Sequence, residues 1–150
     1  MGGSNWDYVV PYQPDIDAAL AMAHEYAFSQ GDYFWPFDSK SRFSAGPERP
    51  RPGSIRELWE DPVVQELLTH SVLDLFTVAG PAEEPEILQA APLSSAATLE
   101  LFGTERPSRA DYDRARDRLW NEIRNGYGHY VTLYHDGTPE QIAFFGVTGD

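Results

Sequence analysis

The chain contains no cysteine. Disulfides, thiolate metal sites and a cysteine nucleophile are therefore excluded. No apolar run approaches the roughly 20 residues that cross a bilayer. Met1-Gly2-Gly3-Ser4 has neither the basic stretch nor the apolar stretch of a secretory signal, so a cytoplasmic protein with no membrane partner is expected. Catalytic signatures are missing as well: there is no phosphate loop, no GxGxxG turn, no HExxH helix and no GxSxG elbow. The histidines are His24, His70, His129 and His135. On one strand, His129 and His135 would stand about 20 Å apart at roughly 3.3 Å per residue, too far to share a metal. A site from His24, His70 and Asp74 would need the tertiary fold to gather them. Neither a metal nor a cofactor is expected.

Positive charge is also scarce. Against 24 acids there are 11 basic residues, for a net charge of −13. Residues 1–53 carry seven acids and four bases, 54–107 ten acids and two bases, and 108–150 seven acids and five bases. The middle of the chain, at a net −8, is the acidic part and would steer a cationic partner. Nucleic acid is a poor partner, because phosphate neutralisation needs clustered Lys and Arg.

What is present reads as α+β: a mainly antiparallel sheet of four or five strands, with helices packed mostly on one face, in a single domain over 1–150. Trp6, Tyr8, Val10 and Tyr12 alternate along a half-buried strand that Pro11 places at a sheet edge. Ile16, Leu20, Ala23 and Ala27 form one helical stripe ending near Gly31, with Pro14 in the first turn and His24 at the stripe's border. Residues 31–53 form a long loop, aromatic in its first half (Tyr33, Phe34, Trp35, Phe37) and Pro-rich in its second. The aromatic half should dock on the body of the protein. The second half, with Arg42, Arg49 and Arg51, is expected to be mobile; the loop is a lid candidate.

Ser54 and Glu57 match a capping box for a helix at 55–60, and Asp61-Pro62 restarts a second one. Ser71 to Val78 alternates with both faces apolar and reads as a central strand carrying Asp74. Residues 86–91 read as a further short strand. A short helix follows Ser94 or Ser95 and stops at Gly103, and a longer one runs from Ser108 to about Arg124 with Tyr112, Ala115, Leu119 and Ile123 as its stripe. Its five arginines interleave with acids as a salt-bridged face. His129 to Thr148 is a β-hairpin around Asp136-Gly137-Thr138-Pro139. A four-residue loop sets Leu133 opposite Ile142 and Val131 opposite Phe144. Both faces need cover, so the hairpin belongs inside the sheet.

Three groups are candidates for chemistry or binding. The first is Thr69-His70-Ser71 with Asp74, suited either to acid–base catalysis by His70 and Asp74 or to a hydrogen-bonded junction. The second is an aromatic surface of Tyr8, Tyr130, Tyr134 and Phe145, suited to binding or to core packing, with Trp35 a further candidate in the long loop. The third is the acidic set Glu57, Glu60, Asp61 and Glu66.

Trp6-Asp7-Tyr8-Val9-Val10-Pro11-Tyr12, Gly31-Asp32-Tyr33-Phe34-Trp35, Thr69-His70-Ser71-Val72-Leu73-Asp74 and Phe145-Gly146-Val147-Thr148-Gly149-Asp150 resemble stretches of small uncharacterised proteins of Streptomyces-type actinobacteria. A single lysine, Lys40, beside ten arginines fits the codon usage of such high-GC genomes. The resemblance implies one self-contained domain and transfers no catalytic residue. The leading expectation is a non-catalytic binding protein, of the immunity or antitoxin kind or a small regulator, that uses its acidic surface on a basic protein partner such as a nuclease toxin. The alternative is a small enzyme or ligand-binding protein of specialised metabolism, its pocket lying between sheet and helices under the 31–53 loop, with His70 and Asp74 as polar groups. The third option is a scaffold or dimerisation domain.

Overall fold

The computed structural model describes residues 3–40 and 44–149. Arg42 of the long loop lies outside them. Five strands form one sheet: β1 (Ser4–Pro11), β2 (Thr77–Val78), β3 (Gln89–Pro92), β4 (Tyr127–His135) and β5 (Thr138–Thr148). Their spatial order is β1-β5-β4-β3-β2, so the hairpin is interior and β1 is an edge, as the patterning requires. The helices are α1 (Ile16–Ser29), α2 (Ile55–Glu60), α3 (Pro62–Leu67), α4 (Ser95–Phe102) and α5 (Arg109–Leu119). None is long and apolar enough to cross a membrane.

The fold is α+β, but the sheet is mixed. β5 pairs antiparallel with β1 and β4, whereas β3 pairs parallel with both β4 and β2. Parallel neighbours need a crossover of a dozen or more residues. Between β3 and β4 that crossover carries α4 and α5, which land on the opposite face from α1, α2 and α3. Helices therefore cover both faces rather than mostly one. Val10, Ile142 and Phe144 pack in a core with Leu20, Leu58 and Val64, while Val131, Leu133, Ala143 and Phe145 pack with Leu101, Tyr112 and Leu119.

The hairpin departs from its expected register. Asp136 and Gly137, at φ +50° and +78°, form a two-residue turn that sets His135 opposite Thr138. Positive φ at both central residues matches the right-handed twist of the strands, which is why Asp-Gly prefers two residues over four. A bulge between Leu133 and Tyr134, opposite Glu140, absorbs the residue left over, so Leu133 meets Gln141, Val131 meets Ala143 and Tyr130 meets Phe144. Gly128 and Gly146 also face one another across the ladder. A Cβ at Gly128 would stand 2.5 Å from Leu75, and one at Gly146 would stand 2.5 Å from Trp6. Their bareness makes room for those two side chains.

The largest correction is at 71–78. Val72–Asp74 is a single 3₁₀ turn closed by a Ser71–Asp74 capping box, and only Thr77–Val78 pairs as strand, at the far edge. Local side-chain-to-backbone bonds from Ser71 and Asp74 outcompete the ladder. Smaller differences follow the same logic of capping. Asp15 caps α1, leaving Pro14 outside, and Glu57 accepts from Gly53 N rather than completing a box with Ser54. α5 stops at Leu119, five residues short of Arg124.

The long loop is fastened at both ends of its described part. Tyr33, Trp35 and Phe37 are buried in the α1 core, as their cost in water demands. The second half, expected to be mobile, is held by two arginines. Arg49 stacks 4.0 Å above Phe37 and pairs with Asp61 at 2.7 Å; Arg51 lies 4.5 Å above Tyr33 and donates to Gly31 O and Tyr33 O.

Candidate functional site

The junction between α3 and the 3₁₀ turn is built around Asp74. Leu68 and His70 sit at φ +62° and +54°, conformations a non-glycine residue holds only when its surroundings insist. Asp74 supplies that insistence. One carboxylate oxygen accepts from Thr69 N and Thr69 Oγ1, each at 2.7 Å, and the other accepts from Ser71 N and from Thr148 Oγ1. Thr148 in turn accepts from the Trp6 indole at 2.9 Å, which ties the junction to β5 and β1. His70 points elsewhere: its Nδ1 lies 2.8 Å from Ser4 Oγ and its ring packs edge-on against Phe34. No hydrogen bond joins His70 to Asp74. Asp74 is occupied in holding the backbone, the structural use foreseen beside the catalytic one.

His24, at the border of its helical stripe, and His129 are both enclosed. His24 is buried with Nε2 2.8 Å from Leu75 O, and burial holds its pKa below the ordinary imidazole value despite the carbonyls of Leu75 and Val72. Burial likewise lowers the His129 pKa against the pull of the Ala91 carbonyl. Both therefore titrate at lower pH in the folded chain than in the unfolded one, where the imidazole titrates near pH 6.5. The unfolded state then binds more protons between the folded pKa values and about 6.5, so stability falls as pH drops through that window. The urea midpoint is expected to decrease between pH 7.5 and 5.5. In His24→Gln that decrease should be smaller; an unchanged pH slope would remove His24 as its source.

The aromatic surface does not assemble. Tyr130 faces the α1 core beside Phe144, Phe145 faces α5 beside Tyr112, and Tyr134 lies under Arg106 near the turn. Tyr8 is buried, its hydroxyl bonded to Asp32 at 2.6 Å, and Trp35 is buried with its indole on Arg49 O. Opposite residues of a ladder share a face, so a one-residue change of register is enough to divide Tyr130 from Phe145.

No family model, no curated protein and no solved structure matches the chain. The site must therefore be read from its own chemistry.

Concave regions lie both beside the junction and away from it. A cavity of about 310 Å³ separates α4 and α5 from the sheet, lined by Leu93, Leu101, Leu119 and Phe145 with His129 among them. A cleft of about 300 Å³ opens between α3 and the β2 edge, where Trp59 and Phe76 meet edge to face and Thr69 and Asp74 form the floor. Neither is lined by His70 or by any described residue of the 31–53 loop. The third, an apolar groove of about 690 Å³, runs between β1 and α1. Among the described residues no group of three or more His, Asp or Glu is placed to hold a metal ion.

The predicted acidic set divides. Asp61 is buried, capping α3 through Val63 N and Val64 N and bonded to Arg49. Burial raises its pKa, but Arg49 and the two amides outweigh that and hold it below the ordinary value. Glu57 is exposed and accepts from Gly53 N, Glu60 is exposed and pairs with Arg56, and Glu66 is exposed. Further exposed acids stand at Glu83, Glu84 and Glu86 in the β2–β3 loop, beside Ile87, itself 62% exposed. They lie close in sequence to Phe76, which is 46% exposed. That pairing of bare apolar side chains with acids was open to sequence reading only as a charge excess.

Proposed function

We propose that this chain is a non-catalytic cytoplasmic binding protein, of the immunity or antitoxin kind or a small regulator, whose partner is a basic protein. The observation that supports it most is how the chain spends its positive charge. Arg49, Arg51, Arg56, Arg109, Arg114 and Arg116 each pair with a carboxylate of the same chain. Among the described residues no arginine pairs with Glu66, Glu84, Glu86 or Glu100, and all four are exposed. The excess of negative charge is therefore carried outward, where it accelerates encounter with a cation and disfavours nucleic acid.

The test is affinity purification from the native host at low salt, repeated at high ionic strength. A basic protein retained at low salt and released by salt is expected, with less retained on Glu84→Lys/Glu86→Lys. Retention of no protein, or of one indifferent to those charges, overturns the reading. A small-ligand alternative has one observation in its favour, the cavity of about 310 Å³ beside His129. It stands at the lower end of the roughly 300–1,000 Å³ range of ligand pockets.

A further inference from the structure

β1 is the long open edge of the sheet. Its eight residues pair with β5 on one side only, and among the described residues no backbone group bonds to its other side. A row of unpaired N–H and C=O groups is a template for another strand unless the fold blunts it. Here the blunting is slight: Pro11 removes one donor at the far end, and no lysine lies on the strand. The apolar groove runs alongside. Val9, Val10 and Pro11 form its strand wall, and Ala18, Ala21 and Met22 line its helix wall with Glu25 and Tyr26. Met22 is 37% exposed and Tyr26 57%, the two largest apolar side chains that α1 leaves in water. On the opposite face Asp7 is engaged by Tyr112 and Arg116 of α5, so β1 is held firmly by both layers.

We propose that β1 and the α1 groove form the docking site for an extended, cationic segment of the protein partner, which adds to the sheet as a sixth strand. The proposal rests on the partner reading above and gives it a location. Main-chain bonds to β1 supply the affinity, and alternate side chains of the added strand lie against Ala18, Ala21 and Met22, where small residues allow close approach. Glu25 in the groove and the net charge of −13 favour Lys or Arg in that segment. The same charge opposes the other natural occupant, the β1 edge of a second copy.

The probe is a capped peptide alternating valine and lysine, matching the eight residues of β1. Its control is the same peptide N-methylated on alternate backbone amides, which keeps the charge and removes strand pairing. Titrated into the full chain at low salt, the unmodified peptide is expected to shift amide resonances of β1 and of Met22 and Tyr26. N-methylation should weaken binding at least about tenfold, because main-chain bonds carry this mode of recognition. Ala21→Gln, at an exposed helical position, should weaken it severalfold with the far-ultraviolet spectrum unchanged. Equal binding of the two peptides, or shifts confined to 83–105, overturns the edge site while leaving the basic-partner reading intact. Absence of binding by either peptide also overturns the edge site, while the affinity purification judges the wider reading independently. A concentration-dependent dimer with β1 shifts and no peptide present assigns the edge to a second copy and overturns the proposal.

Discussion

Asp74→Ala is expected to destabilise the fold by about 2–6 kcal/mol, the cost of leaving two buried backbone amides without their acceptor. The carboxylate is 2% exposed and takes four hydrogen bonds, two from backbone amides. Without it, Thr69 N and Ser71 N lose their acceptor, and each buried orphan costs about 1–3 kcal/mol. The hydroxyls suffer less, since Thr69 Oγ1 still has Ser71 Oγ at 2.7 Å and Thr148 still accepts from Trp6. The positive-φ residues Leu68 and His70 then lose the clasp that holds them. Asp74→Asn should recover little, because its amide turns a donor toward groups that are themselves donors. Urea unfolding checks this: the midpoint should fall with the slope unchanged. A loss below about 1 kcal/mol would show that the junction closes without the carboxylate, and would return Asp74 to the chemical role considered beside His70.

The same residue shows where sequence reading stops. That Asp74 could not be left buried and alone followed from the cost of an unpaired charge. A hydrogen-bonded junction is among the uses its neighbours Thr69 and Ser71 suggest. Thr148, 74 residues away, carried no local mark, and neither did the Trp6 indole behind it. Reading 71–78 as a strand failed for a related reason. Its two-residue alternation is real, but short apolar runs are ambiguous by period alone, and Ser71 and Asp74 are committed to a local capping network.

The hairpin was visible in outline and wrong in register by one residue. A four-residue loop matches Leu133 with Ile142 and Val131 with Phe144, a criterion about side chains; the backbone preference of Asp-Gly for a two-residue turn is stronger. That single residue decided the aromatic site, because it sent Tyr130 and Phe145 to opposite faces. The placement of helices on both faces was implicit in the hairpin's two apolar sides. It was missed because nothing local marks β3–β4 as a parallel pair with a helical crossover.

Phe145→Ala separates the two uses once open to that residue, core and binding floor. The ring is 0% exposed, with centroids 6.2 Å from Tyr112 and 5.9 Å from His129. Truncating such a ring costs about 3–5 kcal/mol, the upper part of the range applying where the surroundings cannot collapse. Collapse is hindered here: the strand is fixed by ladders on both sides, and Phe145 already borders the 310 Å³ cavity under α4 and α5. A core role predicts a large drop in the urea midpoint. Tyr130→Ala, at a half-buried position on the other face, should lose less. Were Phe145 the floor of a binding surface instead, its alanine variant would keep its midpoint within about 1 kcal/mol and lose partner affinity. The location of the ring, sealed beneath α5, favours the first outcome. It leaves the β1 edge and the exposed acids, rather than the aromatic interior of the sheet, as the faces proposed for a partner.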